Sequence, residues 1–556
     1  MEKLLELVKN VLLYSDKEPL IFTRLYFWGF FAIVLAIYSI IYKQKTVRNA
    51  YLFFVSLFFY YKTSGLFFII LLFSTLIDFF IGKKIYSSRS PIAKKWLVGL
   101  SVLINLLVLG YFKYAYFVVD NLNGLLGTHF TPINYFAEFG NMLTGSHFEI
   151  NKILLPVGIS FFTFQTISYS VDVYWGKIKP VTNILDFGFY VSFFPQLVAG
   201  PIVRASEFIP QLYQDYKLSK AAFGHALFLI LNGLIKKMVI GDYIAVNFID
   251  RVFDNPLSYS GFENLMALYG YSLQVYADFS GYTDIAIGVA LLMGFQLPLN
   301  FNSPYKAKNV GEFWKRWHIS LSTWLKDYLY IPMGGNRGAS WFTYISLAFV
   351  LSFIILLSGK LFLAYIFGGI ILVLYLTARF SPTFKLKINT NINLMMTMLL
   401  GGLWHGASWQ FVIWGGLNGL GLIIYKMWKK ISPFRSMQTR WFVVFIGIFI
   451  TFNFITFTRI WFRGESILIT QNIIHQITQQ FSWSIVPQVL FAFKTVFLMM
   501  LFGYIIHWLP DSTKAWYRSK FIQTPIWLKG IIVVLVVTLL YQTRTAEVTP
   551  FIYFQF

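Results

Sequence analysis

"SGLFFIILLFSTLIDFFIGKKIYSSRSPIAKK", residues 64–95, is apolar over its first nineteen residues and basic over the rest. Asp78 is the one ionisable side chain in the first part, whereas five lysines and arginines crowd the second. A helix rises about 1.5 Å per residue, so roughly 20 apolar residues cross the hydrocarbon core of a bilayer. An apolar run that ends in a basic stretch reads as a membrane helix reaching the cytoplasmic face.

The pattern recurs along the chain. Apolar runs fall at 21–42, 49–61, 64–82, 95–119, 221–249, 263–294, 341–358, 361–379, 405–426, 440–461, 490–509 and 525–542. Segments 153–174 and 183–199 are also apolar but carry Pro156 and Pro195, so they read as broken or re-entrant helices, tolerated where protein covers the freed backbone. The 556 residues are 57% hydrophobic, and 12% are charged, against about 25% in a soluble domain. Mean hydropathy is +0.62. The fold class expected is an all-α polytopic membrane protein of about 11–14 transmembrane helices, read as a single membrane-embedded domain over 1–556.

Net charge is +23. In a soluble chain that would suggest nucleic acid. Here the basic residues lie in short loops between apolar runs, which fits membrane lipids as the partner and no nucleic acid. The stretches 83–95 and 426–440 are basic, while 121–151 and 464–489 are poor in lysine and arginine. The first pair is therefore assigned to the cytoplasm, and the second pair, with the C-terminus, to the outside. Residues 1–20 carry charge without a small-residue cleavage site, so no cleaved leader is expected. With no cysteine there is no disulfide, thiolate metal site or S-acyl-enzyme, and no metal site is expected.

Two segments break the lipid-like pattern. In 312–338, "EFWKRWHISLSTWLKDYLYIPMGGNRG", helical spacing sets Trp314, Trp317, Leu321, Trp324, Leu325 and Tyr328 on one face, as in an amphipathic interfacial helix. His318 falls at the edge of that face, with Ser322 one turn on. The bland role of this segment is a membrane anchor. The second is "GGLWHGASWQ", 401–410, where His405 stands among glycine, tryptophan and aliphatic residues. Helical residues 391–403 would end at a break at Gly401-Gly402, putting His405 deep in the bilayer near the start of the next helix. Val412, Gly416 and Gly419 would share its face and leave room for a slim ligand or another backbone. Ionisable groups at that depth are costly and usually functional, though close packing at small residues is the bland alternative. In "QVYADFSGYTDIAIG", 274–288, the polar groups read mainly as a buried hydrogen-bond network.

Five motifs in order, "FPQLVAGPIVR", "QVYADFSGYTDIAIG", "FWKRWHISLSTWLKDYLYIPMGGNR", "GGLWHGASWQFVIWGGLNG" and "FIYFQF", together resemble the membrane-bound O-acyltransferases, in particular the branch of the bacterial alginate O-acetyltransferase membrane subunits. The resemblance covers 45–556. It implies an acyl group, acetyl in this branch, moved from a cytoplasmic thioester (acetyl-CoA or a carrier-protein thioester) through a central tunnel. The acceptor would be an exported polysaccharide, reached directly or through an extracytoplasmic partner protein. It implies His405 as the base and His318 as a second catalytic residue, with Trp404, Trp317, Ser322, Arg316, Asp278 and Asn336 in the substrate-binding set. No cofactor is bound; the thioester is a substrate. The chain departs from the pattern in one respect. The two histidines are 87 residues apart, and the excess, 340–380, reads as an inserted helical hairpin hinged at Ser358-Gly359-Lys360. D-alanyl transfer to teichoic acid, and a transporter or scaffold without chemistry, are the rival readings.

Overall fold

The computed structural model describes residues 12–15, 18–144, 149–198 and 200–543. The C-terminal "FIYFQF" motif and the side on which the chain ends lie outside them. Among the described residues every regular element is a helix. Eight helical runs are long and apolar enough to cross a membrane: Lys45–Ser87, Pro91–Leu126, Lys220–Asp254, Trp341–Ser358, Phe362–Phe380, Trp409–Ile431, Trp441–Arg463 and Ile526–Thr543. The pair Val486–Ala492 and Lys494–Trp508, bent by 87°, is a broken span or a re-entrant loop, and makes a ninth crossing in the first case. Lys45–Ser87 merges two of the apolar runs in the sequence, and Leu25–Ile41 falls one residue short of the eighteen a span requires. Gly261–Leu292 and Pro382–His405 are long enough but too polar to count.

Several boundaries differ from the apolar pattern for one reason: helices run on into basic residues. Of 83–95, only 88–90 leave the helix, and 426–431 complete the helix that starts at Trp409. Lysine stems can lie along apolar surface while their charge stays in water, so basic residues need not end a span. Of the two proline-bearing segments, 183–199 breaks as read, whereas 153–174 holds one unbroken helix. The helix Ile159–Tyr174 starts after Pro156, and Ile184–Ser192 stops at Phe193, ahead of a short turn that contains Pro195.

The described residues divide into two compact units. The first takes the residues up to Leu107, Pro156–Asn302 and those from Gln479. Phenylalanine rings fill much of its core, for example Phe27 and Phe194 around Phe59. Buried polar groups answer one another there. Asp78, fully buried, accepts hydrogen bonds from Ser101, from Asn105 at 2.7 Å and from Ser170 at 2.9 Å. Three helices are tied by one carboxylate, and such a satisfied network specifies their packing.

The second unit comprises Val108–Leu155 and Ser303–Thr478. Its central pair is Pro382–His405 against Trp409–Ile431. A methyl group on Gly402 would stand 2.4 Å from the Phe411 carbonyl oxygen, and one on Gly415 2.5 Å from that of Met398. The two backbones touch at glycines, as small-residue crossings allow. The helix therefore continues through Gly401-Gly402, which is a packing contact and not a break. Trp341–Ser358 and Phe362–Phe380 are joined by a turn at Gly359 with φ 64°, a left-handed value that suits glycine.

Candidate functional site

His405 is the last residue of the Pro382–His405 helix. It does not open the next helix, as the small-residue pattern suggested; that helix begins at Trp409. The last carbonyls of a helix lack intrahelical donors. Here they are capped from the second half of Pro91–Leu126. Lys113 Nζ donates to the Trp404 carbonyl at 2.6 Å and to that of His405 at 3.0 Å, and the Tyr114 hydroxyl donates to that of Leu403. A lysine at a helix C-terminus also meets the negative end of the helix dipole. The turn after His405 is pinned on both sides. Trp409 Nε1 donates to Asn121 Oδ1 at 3.0 Å, and Gln410 Nε2 to Thr470 Oγ1 at 2.9 Å.

The His405 side chain is 3% exposed. Aromatic rings surround it: Trp404 at 4.9 Å, Trp414 at 5.0 Å and Phe462 at 5.3 Å between centroids. The second histidine approaches the same indole. His318 is fully buried, with its ring 6.1 Å from Trp404.

The segment that carries His318 corrects the amphipathic-helix reading. One helix runs Val310–Arg316 and another Ile319–Leu325, with His318 between them at φ 42° and ψ 58°. A left-handed non-glycine residue is uncommon and costs about 1–3 kcal/mol, which the surroundings must repay. Trp317, Leu321 and Trp324 are buried within the protein, so the apolar face meets packed side chains and not lipid. The periodicity was compatible with an interface because a buried stripe and a lipid-facing stripe look alike in sequence.

The remaining candidate residues divide. Trp317 and Trp404, both 5% exposed, belong to the buried cluster around the histidines. The Ser322 hydroxyl donates to the Trp317 carbonyl at 3.3 Å, and the Ser322 amide to that of His318 at 2.9 Å, so Ser322 stabilises the break. Arg316 pairs with Glu312 one turn back at 2.8 Å. Asn336 is exposed in a turn and accepts from Tyr330 at 2.9 Å. Asp278 belongs to the first unit, where Lys237 binds both it and Asp242. Among the described residues no group of three or more His, Asp or Glu side chains is gathered as a metal site requires.

Three contributors carried no motif. Lys113 is a single lysine inside a long apolar run. Arg459, in Trp441–Arg463, lies 4.4 Å over the Trp317 ring. Asn393 donates to the carbonyls of Gly335 and Gly338 at 3.1 and 2.8 Å and accepts from Thr343 at 2.9 Å. It fastens the turn after the His318 segment to the helix that ends at His405. A charged residue in an apolar helix was the available signal for Lys113 and Arg459, whereas Asn393 sits in a polar stretch that gave none.

The family model of the membrane-bound O-acyltransferases matches residues 179–357, a stretch that includes His318. The chain is 38% identical to a probable alginate O-acetylase AlgI of Azotobacter vinelandii over 380 residues, 68% of this chain and 63% of that protein. The match thus spans less than two thirds of that relative. The protein of the same name in Pseudomonas syringae pv. tomato is 34% identical over 434 residues, 77% of this chain and 70% of the relative. A peptidoglycan O-acetyltransferase of Helicobacter pylori is 34% identical over 473 residues, 79% and 75% of the two chains. Likeness at this level over three quarters of a relative, joined to an all-helical multi-pass membrane fold, shows that the chain belongs to the membrane-bound O-acyltransferase family.

Proposed function

We propose that the chain moves an acyl group, acetyl in the favoured reading, from a thioester on the cytoplasmic side to O-acetylate an exported polysaccharide. The donor is acetyl-CoA or a carrier-protein thioester. The acceptor is reached directly or through an extracytoplasmic partner, and the enzyme works in the cytoplasmic membrane across a central tunnel. The observation that supports this best is the pair of buried imidazoles against one indole, with His405 fixed at a capped helix end.

In this reading His405 is the general base. A neutral imidazole takes the proton of the acceptor hydroxyl as its oxygen attacks the thioester carbonyl. General-base catalysis of this kind contributes typically 10²–10⁴-fold. His318 orients the acceptor or polarises the carbonyl from the other side of the cluster. Alginate and peptidoglycan, named for the relatives, mark the class of acceptor: carbohydrate polymers outside the cytoplasm.

The test is transfer of labelled acetyl from candidate thioesters by purified protein. His405→Gln keeps volume and hydrogen bonding but accepts no proton near neutral pH. Turnover is expected to fall at least about a hundredfold. His318→Ala lowers it too, by a smaller factor if the residue only orients groups. Near-normal transfer by His405→Gln would make His405 structural and remove the proposed base.

A further inference from the structure

Arg459 is 4% exposed and stands one turn before Phe462, whose ring packs 5.3 Å from His405. Among the described residues its contacts are with neutral groups. The guanidinium lies 4.4 Å over Trp317, next in sequence to His318, and Nη2 donates to the Tyr305 hydroxyl at 3.4 Å. Nε is buried without an acceptor among the described residues. The acid nearest in sequence, Glu465, pairs instead with Arg463. The other basic side chain of the site, Lys113, bonds carbonyls and, among the described residues, no carboxylate.

A guanidinium is always charged, and removing it from water carries a desolvation cost that an aromatic face and one hydroxyl repay only in part. Positive charge held ready in a dry site is most useful where negative charge appears during reaction. We propose that Arg459 stabilises the oxyanion formed on the thioester carbonyl oxygen during acyl transfer. This rests on the reading of His405 as the base. The acceptor O–H proton passes to His405, a C–O bond forms, and the carbonyl π pair moves onto oxygen beside the guanidinium. That pair then re-forms the carbonyl, the C–S bond breaks, and the thiolate takes the proton back from His405. Atoms and charge balance without a further reactant.

The experiment compares Arg459→Lys and Arg459→Gln with His405→Gln in the purified full-length protein, measuring kcat and KM for an acetyl thioester together with thermal stability. Loss of one oxyanion donor costs on the order of 10²–10³ in kcat. Expected is a fall of about a hundredfold or more for the glutamine variant and about tenfold for lysine, which keeps charge but not reach, with KM unchanged. A folded Arg459→Gln protein with unchanged kcat, or with an effect on KM alone, overturns the proposal. If the glutamine variant does not fold, Arg459→Lys decides: an unchanged kcat overturns it, and a tenfold fall at constant KM supports it. The two readings fail separately. Activity retained by His405→Gln removes the base, whereas activity lost there but kept in both Arg459 variants removes only the oxyanion role.

Discussion

Lys113 acts on the backbone of the histidine cluster. Its amino group donates to the carbonyls of Trp404 and His405, so it holds the backbone that aims both rings. Each such hydrogen bond contributes about 0.5–1.5 kcal/mol net, and two of them hold a helix end that would otherwise fray. Lys113→Met keeps the length of the stem and removes the donors. We expect kcat to fall about ten- to a hundredfold, the scale of a 1 Å misplacement, with KM little changed. Lys113→Arg restores most of it. Steady-state kinetics on the purified variants check this, and a loss confined to KM would assign Lys113 to binding instead.

At the scale of elements, the hairpin Trp341–Ser358 and Phe362–Phe380 divides its labour. The inner helix buries Thr343, Ser346 and Val350, and its Phe353 stacks on Phe117 at 5.9 Å. We propose that the hairpin is an insertion that steadies the second unit. Replacing 341–380 with a short polar loop should lower the melting temperature by several degrees, at about 2–4 °C per kcal/mol in a unit of this size, while kcat is largely kept. Loss of turnover in a well-folded deletion would place the hairpin in the active site.

Most of these elements could be read from the sequence because lipid imposes a plain rule on long helices. The hinge at Ser358-Gly359-Lys360 and the break near Pro195 follow from backbone chemistry that local sequence displays. The break at His318 does not. A left-handed residue leaves the apolar spacing on either side nearly intact, so two short helices pass for one. The end of the helix at His405 was hidden for a different reason. Glycines at 401–402 suggest a turn, but here Gly402 admits the backbone of Gly415 on the next helix and Gly401 faces Leu325, a partner distant in sequence. Lys113 and Arg459 gain their meaning only in three dimensions, where they meet the carbonyls of one helix and the indole of another segment.

For the whole molecule, the charge pattern yields an orientation that a chain without cysteine makes easy to test. We propose that 83–95 and 426–440 face the cytoplasm and 121–151 the outside. Phe130 is exposed between the helices Pro91–Leu126 and Tyr135–Thr144. Phe130→Cys should react with a membrane-impermeant maleimide applied to intact cells. Labelling only after the cytoplasmic face is opened would invert the topology. The same chain offers two compact units to separate measurements, since Lys237 with its aspartates and the histidine cluster belong to different ones.

The outer helix of the hairpin, Phe362–Phe380, buries none of its residues. Its many exposed side chains answer to their surroundings, which for a membrane span are acyl chains. Selection can therefore weigh only their oiliness and the length they span, leaving identity free to drift. A deep mutational scan should find one apolar residue as good as another there, with charges alone selected against. A fluorophore or spin label attached to that helix would report on the surrounding bilayer while leaving catalysis undisturbed.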